Sequence, residues 1–275
     1  MKHSRQLRDL TWAINSQSLL TESPLARLDP SEVDPEHLRR FLEDDPSRRV
    51  GRYFERLVLY WLTHVRKVEV IASSLQIRDG NRTIGEIDLL FRDEQGRVTH
   101  WEIAVKFYLY LSSGTFIGSH YIGPNAGDTF ERKMERLFDH QLPRSITHFP
   151  EVEVRQALVK GRMFYHVSEQ PPTDLPDRLA PEHTRCKWIR ASELELLDRS
   201  EGVRYCVLGK PHWLSEEIAS AAEKGLLTCD EQCDQLAQHF AASERPVLLG
   251  QLKMTGECYS ECEKFFVVGD GWPGL

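Results

Sequence analysis

Two segments of alternating character, residues 85–91 and 100–106, constrain the fold more than any other part of this sequence. Between them lies Arg92-Asp93-Glu94-Gln95-Gly96, a polar stretch ending in glycine, which is typical of a hairpin loop. Alternate residues of a β-strand share a face, so Glu86 and Asp88 point the same way on the first strand. The pattern therefore predicts two neighbouring antiparallel strands with a charged face.

The second strand extends this charged face. Its residues Glu102, Ala104 and Lys106 lie on one side by the same alternation. The opposite face of the hairpin is apolar and suits a buried side, with Ile87, Leu89, Trp101, Ile103 and Val105.

A short loop would place Asp88 opposite Glu102, and Glu86 opposite Ala104. Cross-strand neighbours have Cβ atoms only about 5 Å apart. Carboxylates this close repel each other unless a cation joins them, and oxygen-only ligands suit Mg²⁺ or Mn²⁺. The alternative is a solvated sheet face that carries a Glu102–Lys106 ion pair.

The elements around the hairpin predict an α/β fold. Apolar residues at helical spacing predict a helix over residues 46–64, which carries Glu55. Asp128 is expected to cap a helix that runs to about Gln141, and residues 154–167 form another apolar strand. A polar, proline-bearing stretch near residues 170–176 is the best domain boundary.

We therefore expect a helical lead-in at residues 1–45, a core at 46–168 and a smaller C-terminal α+β region at 180–275. In the last region, strands are expected on both sides of a helix at 215–240.

Composition and charge restrict the partners. The net charge is −7, whereas a protein that holds nucleic acid by bulk electrostatics is usually basic. Apolar runs stay well below the length of about 20 residues that a membrane helix needs, and the first ten residues lack a signal-peptide pattern. We expect a cytoplasmic protein without membrane contact, in an oligomeric state that the sequence leaves open.

Four of the six cysteines fall into two pairs of equal spacing, Cys229 with Cys233 and Cys258 with Cys262. Four thiolates could hold a structural zinc ion. The spacing is unusual for zinc ribbons, and buried, reduced cysteines are the simpler interpretation.

The ordered set of motifs resembles the PD-(D/E)XK nuclease superfamily. A helix with Glu55 precedes a strand reading Gly85-Glu86-Ile87-Asp88-Leu89-Leu90, and the next strand ends in Lys106. The whole chain also resembles a bacterial family of unknown function assigned to that superfamily. The residues that carry this second resemblance are Gly51-Arg52-Tyr53-Phe54-Glu55, Trp101–Tyr108, Gly123–Asp128 and Lys210-Pro211-His212-Trp213-Leu214.

The resemblance implies a restriction-endonuclease-like mixed sheet flanked by helices, and roles for particular residues. Asp88 would be the central ligand of Mg²⁺ or Mn²⁺, Lys106 the catalytic lysine and Glu55 the carboxylate on the helix. The superfamily usually has an acid two residues before the lysine, where this chain has Ala104. Glu102 is favoured as the replacement because long side chains reach diagonal neighbours, with Glu86 as the other choice.

Two functions follow from these assignments. The first is a metal-dependent nuclease for DNA or RNA, in which Lys133, Arg52 and Gln141 would contact nucleic acid. The alternative is a catalytically degenerate protein that keeps the nuclease fold and binds nucleic acid or a protein partner. Ala104 and the acidic charge favour the alternative, whereas the coincidence of four potential site residues favours the enzyme: Glu55, Asp88, Glu102 and Lys106.

Overall fold

The computed structural model describes residues 4–80, 82–220 and 225–274, and its main feature is a mixed sheet of ten strands flanked by helices. The predicted α/β fold is confirmed. Within the described residues, no helix combines the length and the apolar character needed to cross a membrane.

The strands follow the alternating and apolar segments of the sequence. In chain order they are β1 (Glu69–Asp79), β2 (Arg82–Arg92), β3 (Val98–Tyr110), β4 (Tyr121–Ile122), β5 (Val154–His166), β6 (Arg185–Arg190), β7 (Val203–Val207), β8 (Ile218–Ser220), β9 (Val247–Thr255) and β10 (Cys258–Val268).

The first, second, fourth and sixth of the described α-helices each begin at a side chain that accepts from a free N–H group of the first turn. Ser4 accepts from Leu7 N–H at the first helix, and Thr129 accepts from Arg132 N–H at the fourth. The α-helices are α1 (Arg5–Asn15), α2 (Pro35–Glu43), α3 (Val50–Tyr60), α4 (Phe130–Glu135), α5 (Arg144–His148) and α6 (Cys229–Ala242). Two of them continue as π-helices, α3 over Trp61–Val65 and α4 over Arg136–Gln141.

The sheet has the strand order β1-β2-β3-β5-β6-β10-β9-β7, with β4 beside β3 and β8 beside β10. Its central strands β3, β5, β6 and β10 are parallel, and antiparallel strands lie at both ends. The sheet therefore continues across the proline-bearing stretch at residues 170–176. The expected division into a core at residues 46–168 and a C-terminal region at 180–275 stays a prediction.

Both faces of β3 are buried. On one face, Trp101, Ile103 and Val105 pack in an apolar cluster with residues of α1, α2 and α3. On the opposite face, Tyr108 lies in a second apolar cluster with Phe130 and other residues of α4 and its π-helical continuation. The charged face predicted for this strand is thus covered at Glu102, which is fully buried, and partly open at Lys106.

Polar contacts tie the C-terminal half to the first helices. The buried Asp9 carboxylate of α1 accepts from Ser215 N–H and Oγ at 3.1 and 2.7 Å, and from the Tyr53 hydroxyl at 3.0 Å. His212 Nδ1 lies 3.4 Å from the same carboxylate, and Trp213 packs edge-on against Phe107 of β3. The segment Lys210–Leu214 is thereby held against the core.

The expected helix at residues 215–240 is wrong in its first half. Strand β8 pairs with β10 over Ile218–Ser220, and α6 begins only at Cys229, where Thr228 and Glu231 form a capping box. Residues 221–224 of the expected helix lie outside the described residues. Sheet pairing outweighs the helical propensity of this segment.

We predict that Gly161→Ala destabilises the protein. Gly161 pairs with Lys106 across the β3–β5 ladder, and an added Cβ would lie 1.8 Å from the Lys106 carbonyl oxygen. We expect a loss of about 3 kcal/mol or more, seen as a fall of about 6 °C or more in Tm.

The control is Gly51→Ala in α3, where an added Cβ meets no atom within 4 Å. This change should leave Tm unchanged or raise it, because alanine favours helix. A Tm of Gly161→Ala within 2 °C of wild type, on the order of the precision of such shifts, would contradict the close approach of β3 and β5.

Candidate active site

Strands β2 and β3 separate where the predicted carboxylates lie. Their paired register runs from Arg92–Val98 to Leu89–Trp101. The next two residues, Asp88 and Glu102, therefore face each other. Ile103 N–H of β3 donates to Asp88 Oδ2 at 2.9 Å, so a side chain occupies the place of a strand partner. This opening of the hairpin puts two carboxylates at the mouth of the gap.

Glu102 is fully buried and held by two neutral donors. Its Oε1 lies 3.0 Å from His100 Nε2, and its Oε2 accepts from Gln141 Nε2 at 2.6 Å. Burial lowers the pKa of His100 to about 4, so the ring is neutral at pH 7. Neutral His100 can donate from Nε2 only if Nδ1 accepts, and Nδ1 lies 3.0 Å from the Ser145 hydroxyl.

Lys133 completes this hydrogen-bond chain. Its Nζ donates to Gln141 Oε1 at 2.9 Å, and Gln141 in turn contacts Glu102. Burial lowers the pKa of Lys133, and the charge of Lys106 lowers it further, while Asp88 and Glu102 raise it. Two residues predicted to contact nucleic acid, Lys133 and Gln141, thus lie beside the carboxylates.

The predicted site residues on α3 and β2 approach the same place. Arg52 NH1 donates to Glu55 Oε2 at 3.2 Å and to Ser74 Oγ of β1 at 2.9 Å. Burial raises the pKa of Glu55, and the charges of Asp88 and Glu86 raise it further, while Arg52 opposes the rise. Glu86 itself is exposed. The sequence-predicted carboxylates are therefore electrostatic neighbours, with Glu86 at the rim.

The Asp88–Glu102 pair carries the strongest perturbation. Burial raises the pKa of Asp88 to about 7, and the adjacent Glu102 carboxylate adds to this rise. Burial likewise raises the pKa of Glu102 to about 7, against the lowering effect of the Lys133 charge. Perturbed, facing carboxylates in a gap between strands are typical of functional sites.

Lys106 pairs with a different carboxylate, that of Asp128. Its Nζ lies 2.8 Å from Asp128 Oδ2, and the Tyr108 hydroxyl lies 3.4 Å from the same oxygen. The expected capping of α4 by Asp128 is wrong, because Thr129 is the N-cap. Asp128 instead is the ion-pair partner of Lys106, beside a cavity of about 210 Å³ whose lining includes Gly123 and Asn125.

The sequence did not predict His100 as a partner of Glu102, and it assigned the other partner, Gln141, to nucleic-acid contact. His100 precedes Glu102 by two residues on the same strand face, which is a local signal that could have identified it. Ser145 lies on α5, and its place beside His100 depends on tertiary packing. Arg155 Nε donates to Ser145 Oγ at 2.8 Å and extends the chain of contacts to β5.

The metal sites suggested by the sequence differ in their support. In the described parts of the chain, no group of three or more His, Cys, Asp or Glu side chains is placed to hold a metal ion. Cys229 and Cys233 have their Sγ atoms 3.9 Å apart, and Cys262 Sγ contacts Gln251 O at 3.4 Å. Among the described residues, the four cysteines are not grouped in a way that could hold a metal ion. The carboxylates offer two facing ligands, which suits an ion that keeps bound water.

We predict that Asp88→Asn stabilises the metal-free protein at pH 8 but not at pH 4. A carboxyl group with a raised pKa in the folded state binds more protons than in the unfolded state. Wild type therefore loses stability as the pH rises from about 4 to about 7. Asparagine keeps an acceptor for Ile103 N–H and cannot ionise.

Thermal unfolding in EDTA at several pH values measures the effect. We expect the variant to gain about 1–3 kcal/mol over wild type at pH 8. Equal stabilities of the two proteins at pH 8 would contradict the raised pKa of Asp88, because ionisation of this carboxyl group would then not destabilise the folded protein.

Comparison with known proteins gives the family but no activity. A search of curated proteins finds no match to this chain. Residues 8–268 match a family described as a domain of unknown function, DUF1853. This match covers nearly the whole sequence, from α1 to the end of β10. The chain therefore belongs to the DUF1853 family.

Proposed function

We propose that this protein is a metal-dependent phosphodiesterase that cleaves DNA or RNA. The observation that carries the proposal is the facing pair Asp88 and Glu102 in the gap between β2 and β3, with Glu55 as an electrostatic neighbour. Both carboxyl groups of the pair have raised pKa values in the protein alone. A divalent cation would relieve that repulsion.

The donor set fits Mg²⁺ or Mn²⁺. Every potential ligand is a carboxylate oxygen, and Mg²⁺ commonly binds through one or two carboxylates, with water and substrate phosphate as its other ligands. When bound, the cation would polarise a phosphoryl oxygen and lower the pKa of a coordinated water. Asp88 and Glu102 would hold it directly, and Glu55 directly or through water.

The protein's own residues would position the reaction. His100 and Gln141 fix both oxygens of Glu102, which keeps its carboxylate oriented toward Asp88. In the hydrolysis, a bond forms between the water oxygen and phosphorus, and the bond from phosphorus to the leaving sugar oxygen breaks. The water loses a proton to solvent, and the leaving oxygen takes one from solvent. Nearby lysine charge would stabilise the developing negative charge.

Membership of the PD-(D/E)XK superfamily is part of this proposal. It is supported by the order of elements: α3 with Glu55, β2 with Asp88, β3 with Glu102 and Lys106, then a helix and the parallel strand β5. In place of the usual acid, Ala104 presents a methyl group. The burial and hydrogen bonding of Glu102 support it as the replacement over the exposed Glu86.

Nucleic acid is the proposed substrate, and the cytoplasm is the proposed location. Exposed arginines on the elements that carry the site could contact phosphates without a strongly basic protein overall. They include Arg48 and Arg49 before α3, and Arg132 and Arg136 on the α4 side.

Calorimetry with Mn²⁺ and a nuclease assay on the same samples test the function. We expect wild type to bind Mn²⁺ and to cleave nucleic acid, with cleavage abolished by EDTA. Asp88→Ala should lose both. Glu102→Gln should weaken Mn²⁺ binding at least ten-fold and cleavage about 100-fold, whereas Glu86→Gln should lose less than ten-fold in each.

Asp174→Asn, an exposed carboxylate in the proline-bearing stretch, is the matched control and should behave like wild type. Cleavage that persists in excess EDTA would contradict the proposal. A folded wild type that binds no Mn²⁺ would favour the alternative, a nuclease-fold protein that holds nucleic acid or a partner without cutting.

A further inference from the structure

We propose that Lys133 of α4, rather than Lys106 of β3, is the catalytic lysine of this site. This inference rests on the proposed nuclease function and names a residue that the superfamily pattern does not assign. Three independent observations support it: the spacing along β3, the ion pair of Lys106, and the contacts of Lys133.

The spacing along β3 separates the Cα atom of Lys106 from that of Glu102. Where the acid stands two residues before the lysine, their Cα atoms are about 6.6 Å apart. Here the acid is Glu102, four residues before Lys106, which is about 13 Å along the strand. With Ala104 in the usual acid position, the carboxylate of β3 is therefore about twice as far from the lysine along the strand as in the superfamily pattern.

The Lys106 ammonium group also has another partner. Its Nζ lies 2.8 Å from Asp128 Oδ2, and Thr129 N–H donates to Asp128 Oδ1 at 3.0 Å, which fixes that carboxylate in its loop. The Asp128 backbone is bound as well, since Gly123 N–H donates to its carbonyl at 2.8 Å. Moving Lys106 toward Glu102 would break a pair that the loop holds in place.

Lys133 has the opposite arrangement. Its Nζ donates to Gln141 Oε1 at 2.9 Å, and Gln141 Nε2 donates to Glu102 Oε2 at 2.6 Å. The lysine is thus one side chain away from the carboxylate. Its positive charge also acts on both carboxyl groups and lowers the pKa values of Asp88 and Glu102.

The π-helix aligns the two residues. Lys133 and Gln141 are eight positions apart, and in a regular α-helix their directions would differ by about 80°. The chain is α-helical to Glu135 and π-helical over Arg136–Gln141. The wider π turns rotate less per residue, which returns Gln141 to the face of Lys133. Short π segments of this kind are common at functional sites.

In this position, the Lys133 ammonium group would contact a non-bridging oxygen of a substrate phosphate held beside the cation that Asp88 and Glu102 would bind. It would stabilise the negative charge that develops as water attacks phosphorus. Gln141 would be a positioning residue, because its amide links the lysine and the glutamate.

The test compares Lys133→Met with Lys106→Met, and uses Lys187→Met as a control on the distant strand β6. Single-turnover cleavage and Mn²⁺ calorimetry are measured on the same preparations. For Lys133→Met we expect cleavage to fall about 100- to 1000-fold. Its Mn²⁺ binding should tighten about three- to ten-fold, because a positive charge near the ligands is removed. Disruption of the site would instead weaken Mn²⁺ binding together with cleavage, so the opposite signs of the two changes separate loss of the catalytic group from loss of the metal site.

For Lys106→Met we expect less than a ten-fold loss of cleavage and little change in Mn²⁺ affinity, and Lys187→Met should match wild type. If Lys133→Met does not fold, Lys133→Arg keeps the charge and should show wild-type Mn²⁺ affinity with reduced cleavage. Cleavage that survives in Lys133→Met and is lost in Lys106→Met overturns this inference alone. A folded wild type that neither binds Mn²⁺ nor cleaves overturns the proposed function, and this inference with it.

Discussion

The burial of Glu102 is the constraint on which the arrangement of this site depends. A carboxylate on a strand that is covered on both faces needs hydrogen-bond donors, because an unpaired buried charge is costly. His100 and Gln141 supply neutral donors, one to each oxygen, and Lys133 and Ser145 hold those two residues in turn. The conformation of β3, the end of the π-helix and the start of α5 are thus coupled through one carboxylate. Asp88 faces the same group, so the protein alone keeps two acids together that would repel when both are ionised.

The described residues of the C-terminal region, 180–220 and 225–274, contribute to the surroundings of Lys106. Trp272 Nε1 donates to Pro124 O at 3.0 Å, in the loop that ends at Asp128. Trp272 also packs beside Trp188 of β6, and Arg190 NH1 donates to Trp272 O at 2.9 Å. Trp272 therefore stabilises the loop that carries Asp128, the ion-pair partner of Lys106. This gives the C-terminal region a structural role.

Local patterns were sufficient for the hairpin and for its carboxylates. The alternation in residues 85–91 and 100–106 predicted which side chains share a face, and the short loop predicted that Asp88 and Glu102 face each other. Three features depended on tertiary contacts. The carboxylate face is covered by a helix, Asp128 binds Lys106 instead of capping α4, and β8 forms where helical spacing predicted a helix. The alternation along a strand does not indicate which helix will pack on it. The capping propensity of Asp128 does not indicate that Lys106, which is distant in sequence, will bind its carboxylate.

The central claim is that Asp88 and Glu102 together hold a divalent cation. The most direct measurement is X-ray diffraction from crystals grown with Mn²⁺, recorded at the Mn absorption edge. Our account predicts an anomalous peak between the two carboxylates, about 2.1 Å from an oxygen of each. Well-ordered carboxylates without such a peak, or Mn²⁺ bound only elsewhere on the protein, would contradict it.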